Sequence, residues 1–330
     1  MVVATIDGTD MATPQTTVFG GSGFVGRYVV QRLAEAGHRV LVGVRHPERA
    51  GFLRPMGDVG QIVPIKADIT DADSVAGAIE GSDVVINLVG ILYEKGAQRF
   101  AAIHAQGAER VAKAAKTAGV GRFIHMSAIG ADRQSKSAYG RTKAAGEAAV
   151  RAAFEDATIV RPSLIIGAED GFLNLFGSLS RIAPFLPLID GGTTRFQPIH
   201  VGDVAAAITK IAGAHETKGR MIELGGPRVY SFRELLEYIV SETGRRTVLV
   251  PVPSGLMSMK AWFLEFLPKP PLTRDQIAML AQDNVVGASD DDSVGRIEDL
   301  GINPIPIETV APEILRRYRR GGGARPSRFN

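Results

Sequence analysis

A tyrosine and a lysine stand four residues apart in the stretch SAYGRTKAAGEAAV, at Tyr139 and Lys143. Four residues is close to one helical turn, so both side chains fall on one face of a predicted helix. A lysine ammonium beside a phenol lowers the phenol pKa, and the tyrosine can then act as a general acid or base. Alternatively, both groups only hydrogen-bond the ribose hydroxyls of a cofactor. The pair therefore predicts either acid–base chemistry or cofactor binding.

A glycine-rich loop, FGGSGFVG, separates the first predicted strand from the first predicted helix and contains Gly20, Gly23 and Gly26. Glycine there allows a tight turn, close approach of the backbone to a pyrophosphate, and close helix–strand packing. The pyrophosphate would sit on the helix N-terminus, against the main-chain N–H groups of Phe24 and Val25. Because the triplet lies in the strand–loop–helix context that this function requires, we predict a dinucleotide-binding loop.

The ends of the next strands indicate which dinucleotide is bound. The second predicted strand ends in Arg45, where NAD-binding proteins carry an acid for the ribose 2′-hydroxyl. A guanidinium suits a 2′-phosphate, so NADP(H) is favoured over NAD(H), unless Arg45 is only a solvated charge at a strand end. Asp68 follows the third strand and either reaches the adenine amino group or caps the helix around 71–79. Three residues after the fourth strand are expected to line the adenosine side: Leu88, Val89 and Gly90.

The Tyr139–Lys143 pair behind this glycine loop resembles the short-chain dehydrogenase/reductase superfamily. The resemblance implies that a serine or threonine just beyond the fifth strand polarises the substrate carbonyl. Here the segment HMSAIGAD offers one hydroxyl, Ser127, which stands too early in the chain, and Ala128 follows it. Ser127 is therefore expected to touch the nicotinamide side without serving chemistry. Cofactor binding is predicted to be intact and the catalytic set incomplete, so no catalytic residue is assigned firmly.

Strands and helices alternate through the first half of the chain. The apolar runs are nearly continuous, as in parallel strands that are buried on both faces. We therefore predict an α/β fold, a doubly wound parallel Rossmann sheet with a smaller, mostly helical C-terminal domain. About seven strands are expected, at 16–20, 39–45, 61–68, 83–90, 122–128, 157–162 and 220–227.

The rhythm changes after residue 162, where residues 163–195 are rich in Phe, Leu, Gly and Pro and have poor periodicity. A clear helix returns later: Ser231 and Glu234 form a capping box, and Gly244 ends the helix. Four parts are predicted: a loose segment 1–15, a Rossmann domain 16–162 with about 196–226, a small domain 163–195 with 227–315, and a basic tail 316–330.

Composition excludes several classes of function. The 330 residues include no cysteine, which excludes disulfides, thiolate metal sites and cysteine nucleophiles. The six histidines are scattered without ligand spacing, so no metal is expected. Six arginines fall in the tail 316–330, and the rest of the chain has 32 basic and 35 acidic residues. Because the basic charge belongs to a tail and not to a face of the fold, no nucleic-acid partner is expected.

Taken end to end, the chain resembles the NADPH-binding accessory subunits of respiratory complex I (NADH:ubiquinone oxidoreductase), an atypical, extended-type branch of the superfamily. The resemblance runs from the first strand to about Tyr318. It is carried chiefly by SAYGRTKAAGE, ATIVRPSLIIGAEDGFLN, TRFQPIHVGDV, PPLTRDQIAMLAQDNVV and RIEDLGINPIPIETVAPEILRRYR.

This resemblance implies a tightly held, non-catalytic NADPH and a place among the other subunits of the complex, on the peripheral arm near the membrane junction. It also implies roles for residues: the loop glycines bind the pyrophosphate and Arg45 the 2′-phosphate, while Tyr139 and Lys143 hold the ribose. Three further residues would back the nicotinamide: Pro162, Ser163 and Leu164.

Contact with a membrane surface is a further expectation. No run of eighteen apolar residues occurs, so no segment is expected to span a membrane. Secretory and transit signals contain basic residues, and residues 1–15 contain none. The apolar segment 255–267, which contains Trp262, is either an interfacial helix or a core helix of the small domain. The arginine tail is expected to meet anionic lipid or acidic subunits, or else to be solvated. The expected location is peripheral, on the cytoplasmic side of a bacterial inner membrane, or on the matrix side in mitochondria.

The leading hypothesis is thus a cofactor-binding accessory subunit, without activity of its own, whose NADPH stabilises the fold and assembly. The first alternative is a free NADP(H)-dependent short-chain reductase or epimerase that uses Tyr139 and Lys143. The second is a dinucleotide-sensing regulatory protein that binds its partner through the tail.

Overall fold

The computed structural model describes residues 13–265, 272–287 and 294–321 of the chain. Its strands are β1 (Gln15–Phe19), β2 (Arg39–Val44), β3 (Ile62–Lys66), β4 (Val84–Asn87), β5 (Arg122–Met126), β6 (Thr158–Pro162), β7 (Ile165–Ile166), β8 (Phe185–Ile189), β9 (Arg195–Phe196), β10 (Ile199–His200), β11 (Met221–Leu224), β12 (Tyr230–Ser231), β13 (Val248–Val252) and β14 (Gly295–Arg296). Its α-helices are α1 (Phe24–Glu35), α2 (Ala72–Ile79), α3 (Ala108–Thr117), α4 (Ala138–Ala153), α5 (Phe172–Ile182), α6 (Val201–Gly213), α7 (Phe232–Thr243), α8 (Ser254–Leu264), α9 (Arg274–Leu280) and α10 (Ile307–Leu315).

The large sheet has eight strands in the order β14-β11-β6-β5-β4-β1-β2-β3, and all its pairings are parallel. This confirms the predicted doubly wound fold and adds one strand, β14, to the expected seven. The strand order reverses between β1 and β4. In such sheets the ligand crevice lies at this switch point, outside the carboxyl ends of the strands.

The sheet is covered on both faces, which explains the continuous apolar runs. On one face Val18, Val42 and Ile86 pack against α1 and α6. On the other face Phe19 and Phe123 pack against α2, α3 and α4. Neighbouring residues of one strand therefore face two different cores.

The small domain has its own core, in which Phe176, Phe232 and Leu236 belong to α5 and α7. Residues 163–195, which showed little periodicity, include a regular helix, α5, and three short strands. The capping box of Ser231 and Glu234 is confirmed, and Gly244 ends α7 in the left-handed region at φ +61°. Strand β14 comes from the range assigned to the small domain but pairs with β11 of the large sheet.

The ends of the described chain are more ordered than the sequence predicted. Gln15, placed in the loose segment, starts β1, and the carbonyl of Pro14 accepts a hydrogen bond from the N–H of Arg39. At the other end, Arg319 of the basic tail donates to the carboxylate of Glu242 at 2.5 Å. Residues 1–12 and 322–330 lie outside the described residues. Within the described ranges, no helix is long and apolar enough to cross a membrane.

Candidate functional site

The glycine loop is folded too tightly to accept side chains at Gly20 and Gly26. Gly20 has φ +79°, in the left-handed region that favours glycine. A methyl group at Gly26 would overlap the carbonyl oxygen of Gly20 and the backbone of Gly21. Gly23 precedes the first turn of α1, and its carbonyl accepts from the N–H of Arg27 at 3.1 Å. The loop therefore presents bare backbone at a helix N-terminus, the arrangement that binds a pyrophosphate.

A cleft of about 950 Å³ opens at the carboxyl ends of the strands, directly beside this loop. Its volume is within the range of small-molecule and cofactor sites. All sixteen residues predicted to contact the cofactor line this cleft: Gly20, Gly23, Phe24, Val25, Gly26, Arg45, Asp68, Leu88, Val89, Gly90, Ser127, Tyr139, Lys143, Pro162, Ser163 and Leu164.

At the end of β2, Arg45 is exposed in the cleft, and its guanidinium lies beside the side-chain amide of Gln98. His46 and Arg49 line the same end, and the sequence analysis did not include them. This end of the cleft thus combines two arginines within one short segment.

Asp68 does not cap the following helix, so that alternative is wrong. The cap of α2 is Asp71, whose carboxylate accepts from the N–H groups of Asp73 and Ser74 at 3.0 and 3.3 Å. Asp68 instead accepts from the backbone N–H of Thr70 at 2.9 Å. The physical reason is position, because a cap must directly precede the first helical turn.

The loop after β4 is held by a buried histidine that the sequence analysis did not select. His104 lies in a π-helical turn (Ala101–Gly107), and its Nε2 accepts from the N–H of Ile91 at 3.0 Å. Its Nδ1 lies 3.1 Å from the hydroxyl of Thr142. Burial and the neighbouring Lys143 lower the pKa of His104 to about 3, so its ring is neutral. No sequence signal distinguished this histidine, since it stands alone in an alanine-rich helix.

The Tyr139–Lys143 pair is assembled on one face of α4. The ammonium of Lys143 donates to the carbonyl of Met126 at 3.0 Å and lies 5.8 Å from the centre of the Tyr139 ring. Burial lowers the pKa of Lys143 to about 8. Burial and the carboxylate of Asp275 raise the pKa of Tyr139 to about 12.

The expectation that Lys143 lowers the pKa of Tyr139 is therefore wrong. Desolvation of the phenolate and repulsion from Asp275 raise the pKa instead.

Ser127 is buried at the bottom of the cleft with 2% of its surface exposed. Its Oγ has no hydrogen-bond partner among the described residues. A buried hydroxyl without a partner costs free energy, and a polar group bound in the cleft would satisfy it. Together with the bare glycine backbone, this orphaned hydroxyl shows that the residues present fit a nicotinamide dinucleotide.

The small domain closes the nicotinamide end of the cleft through α9 and the segment after it. Asp275 accepts from the N–H groups of Ala138 and Tyr139 at 2.5 and 3.1 Å, so it pairs with two N–H groups in the first turn of the helix that carries the Tyr–Lys pair. The carbonyl of Asn284 accepts from the hydroxyl of Ser163 at 2.8 Å. The sequence analysis singled out this segment only as part of a family motif and gave its residues no role in the site.

Two comparisons with known proteins bear on this site. A family model described as NAD(P)H-binding matches residues 20–179. The chain is 40% identical over 320 residues to the mitochondrial NADH dehydrogenase [ubiquinone] 1 alpha subcomplex subunit 9 of Arabidopsis thaliana. The match covers 93% of this chain and 78% of that protein. The chain belongs to this subunit 9 family. It therefore contains a nicotinamide-dinucleotide-binding domain, and the resemblance noted in the sequence is confirmed.

Other proteins are similar to this chain in sequence or in fold. The chain is 32% identical to a ceramide reductase of Caulobacter vibrioides, over 74% of this chain and 75% of that protein. Among solved structures, a nucleoside-diphosphate-sugar epimerase of Staphylococcus aureus superposes with a TM-score of 0.69 at 18% identity, covering 90% of this chain and 99% of that one. This structural similarity supports the extended Rossmann fold. Among the described residues, no group of His, Asp or Glu side chains could hold a metal ion.

Proposed function

We propose that this chain is a non-catalytic, NADPH-binding accessory subunit of the peripheral arm of respiratory complex I. The observation that carries the proposal is the 40% identity, over 93% of this chain, to subunit 9 of a mitochondrial NADH dehydrogenase. The site agrees with it, because the glycine loop and the strand ends line one cleft, while Ser127 stands too early in the chain to complete a catalytic set.

NADPH is proposed over NADH because of the charges at the end of β2. Arg45 and Arg49 both line the adenosine end of the cleft. A 2′-phosphate would find charge-assisted hydrogen bonds from Arg45. A carboxylate such as that of NAD-specific proteins does not occupy this strand end, since the residue after Arg45 is His46.

The remaining contacts are assigned by position. The N–H groups of Phe24 and Val25 would hold the pyrophosphate, Asp68 the adenine, and Tyr139 and Lys143 the nicotinamide ribose. Leu88, Val89, Gly90 and Ser127 would line the cofactor, and the residues from Pro162 to Leu164 would back the nicotinamide. Bound NADPH would bring a hydride donor to the cleft. The chain's own residues bind and orient it and hold the Tyr139 proton in place.

Peripheral contact with a membrane surface is part of this proposal. Helix α8 buries Met257 and Ala261 in the small-domain core but exposes Leu256, Met259 and Trp262 at 52%, 59% and 45%. These three are spaced three residues apart and form one stripe, as in an interfacial helix. The described part of the arginine tail, from Arg316 to Arg320, would add attraction to anionic lipid. Residues 266–267 of the predicted segment and 322–330 of the tail lie outside the described residues.

The free-reductase alternative has one supporting observation, the similarity to a protein named ceramide reductase. It is opposed by the incomplete catalytic set, because Ser127 stands too early in the chain and Ala128 follows it. A Tyr139→Phe variant separates the two functions. An enzyme would lose turnover, whereas an accessory subunit would still bind NADPH and assemble.

The decisive experiment is a native gel of detergent-solubilised membranes from the source cells, stained for NADH dehydrogenase activity and probed for this chain. We expect the chain to comigrate with the activity after a wash at moderate salt. A chain that migrates only at its own size in the soluble fraction would contradict the proposal. In that case the Tyr139–Lys143 reductase would become the better hypothesis.

A further inference from the structure

The cleft extends past the nicotinamide end into the small domain, where apolar side chains form its wall. We name this part the apolar chamber and define it by six residues from the β6–β7 connection, α5, β9 and α9. They are Leu164, Leu175, Phe176, Phe196, Met279 and Leu280.

The carboxylate and amide oxygens around the chamber are already engaged within the protein. Four side chains with carboxylate or amide groups line this end of the cleft, and each has an intramolecular hydrogen bond among the described residues. These bonds join Gln276 Oε1 to the N–H of Thr273 at 2.9 Å, Gln282 Oε1 to Ser135 Oγ at 3.1 Å, Asp283 Oδ2 to Arg195 Nε at 2.8 Å, and Asn284 Oδ1 to Ser163 Oγ at 2.7 Å.

This arrangement disfavours a charged occupant. The diphosphate of a nucleotide sugar carries negative charges that need cations or free donors when they leave water. Among the described residues, Lys143 is the one cation that lines this region, because Arg45 and Arg49 lie at the adenosine end. Its ammonium donates a hydrogen bond to the carbonyl of Met126, beneath the cofactor position. An apolar chain, in contrast, is stabilised by about 0.8 kcal/mol for each CH₂ group that it buries.

Two further polar groups, those of Tyr139 and Ser127, lie where the chamber meets the nicotinamide position. The phenol of Tyr139 is half-buried there and stays protonated, so it is a hydrogen-bond donor. Ser127 Oγ lies at the same end without a partner. One small polar head group is therefore matched at the mouth of the chamber, and an apolar chain is matched inside it.

We propose that the apolar chamber binds the chain of a neutral, long-chain lipid whose head-group oxygen faces Tyr139. This inference rests on the proposed function and names the ligand class of the same cleft. It requires no chemical step, because the lipid is held beside the cofactor as a second ligand.

The test titrates the full-length, NADPH-loaded chain with a long-chain alkyl alcohol that carries a terminal dansyl group. We expect saturable binding with blue-shifted dansyl emission. Unlabelled hexadecanol should displace the probe, and UDP-glucose should not. Displacement by UDP-glucose alone would overturn the proposal, because it would show that the chamber accepts a charged nucleotide sugar.

Two methionines provide matched variants. Met279 is half-buried in the chamber, and Met279→Glu should weaken probe binding at least about tenfold, since it places a charge on the apolar wall. Met259 is exposed on α8, and Met259→Glu should leave binding unchanged. Met279→Leu should also bind normally, because it conserves volume and polarity. Equal probe binding by wild type and Met279→Glu would overturn the proposal.

NADPH retention is measured in every variant by the fluorescence of the bound dihydronicotinamide. If wild type binds the probe but not NADPH, the cofactor part of the proposed function fails and the lipid inference survives. If wild type binds NADPH but not the probe, the lipid inference alone fails. Should Met279→Glu lose cooperative unfolding, Leu175→Gln on α5 tests the same wall from the small-domain side.

Discussion

At the scale of single residues, several buried titratable groups around Lys143 are in the protonation state that burial favours. His104 and His125 are neutral because burial and the nearby Lys143 lower the pKa of each to about 3. Burial and the carboxylate of Asp275 raise the pKa of Tyr139 to about 12, so its phenol keeps its proton. Such groups can position a ligand through hydrogen bonds, but they do not exchange protons near neutral pH.

Arg45 is the residue that we propose to select NADPH over NADH. Arg45→Ala should weaken NADPH binding about ten- to a hundredfold, because hydrogen bonds to a charged group contribute about 1.5–3 kcal/mol. NADH binding should change little, since NADH has no 2′-phosphate. Fluorescence titrations of both nucleotides measure this. Arg39→Ala, at the other end of β2 and also exposed, is the matched control. An equal loss for both nucleotides would argue against the 2′-phosphate contact.

Lys143 should make NADPH binding depend on pH. Its pKa is lowered to about 8, so the ammonium that would hold the ribose hydroxyls is lost as the pH rises above that value. The affinity should be constant below about pH 8 and fall by up to about tenfold for each pH unit above it, because binding then requires proton uptake. NADPH titrations from about pH 7 to about pH 9.5 test this.

The two control variants for Lys143 have different expected results. Lys143→Arg keeps its charge throughout this range, so its affinity for NADPH should not change with pH. Lys143→Met should bind more weakly and also without pH dependence. If all three proteins weaken in parallel, the titrating group is not Lys143.

At the scale of elements, the site depends on how closely helices approach one another. Helix α4 packs on the π-helical turn through Gly146, where a methyl group would overlap the carbonyl oxygen of His104. This contact fixes His104, and His104 in turn holds the loop after β4 through Ile91. Two consecutive close contacts thus connect the Tyr–Lys helix to the loop that lines the cofactor cleft.

Gly146→Ala should lower the free energy of unfolding by about 1–3 kcal/mol, because the added methyl group forces α4 away from the π-helical turn. Gly77→Ala is the control. Gly77 is also inside a helix, α2, but a methyl group there meets nothing within 4 Å. The free energy of unfolding of Gly77→Ala should rise by about 0.5–1 kcal/mol. Urea unfolding of both variants measures the difference, and an equal effect in both would contradict the packing argument.

At the scale of the whole molecule, the cleft is formed by both domains. The large sheet contributes the glycine loop and the strand ends, and α9 of the small domain contacts the first turn of α4 through Asp275. A cofactor in this cleft therefore contacts elements that are far apart in the chain. Its binding should stabilise their arrangement as well as the loop that it touches.

NADPH at about a thousand times its dissociation constant should add about 4.1 kcal/mol to stability, because it binds only the folded state. Hydrogen exchange should slow in α9 and residues 282–287 as well as in the glycine loop. Helix α6, which packs on α1 away from the cleft lining, is the internal control for local protection. Protection limited to the glycine loop would show that the small domain does not respond to the cofactor.

The parallel sheet, the position of the cleft and one helix cap follow from the sequence alone. Continuous apolar runs predicted buried parallel strands, because such strands have no solvent-facing side. The glycine loop and the residues at the strand ends predicted the cleft, because parallel strands bring their carboxyl ends to one edge. Local signals also sufficed for the capping box of Ser231 and Glu234, since that motif spans only four residues.

Tertiary structure decided what the sequence left open or predicted wrongly. The pKa of Tyr139 depends on burial and on Asp275, which is 136 residues away in the chain. The role of His104 depends on a π-helical turn and on a glycine from another helix. Strand β14 pairs with β11 across a long separation in sequence. Electrostatic and packing effects of this kind act between residues that only folding brings together, so no local pattern in the sequence could reveal them.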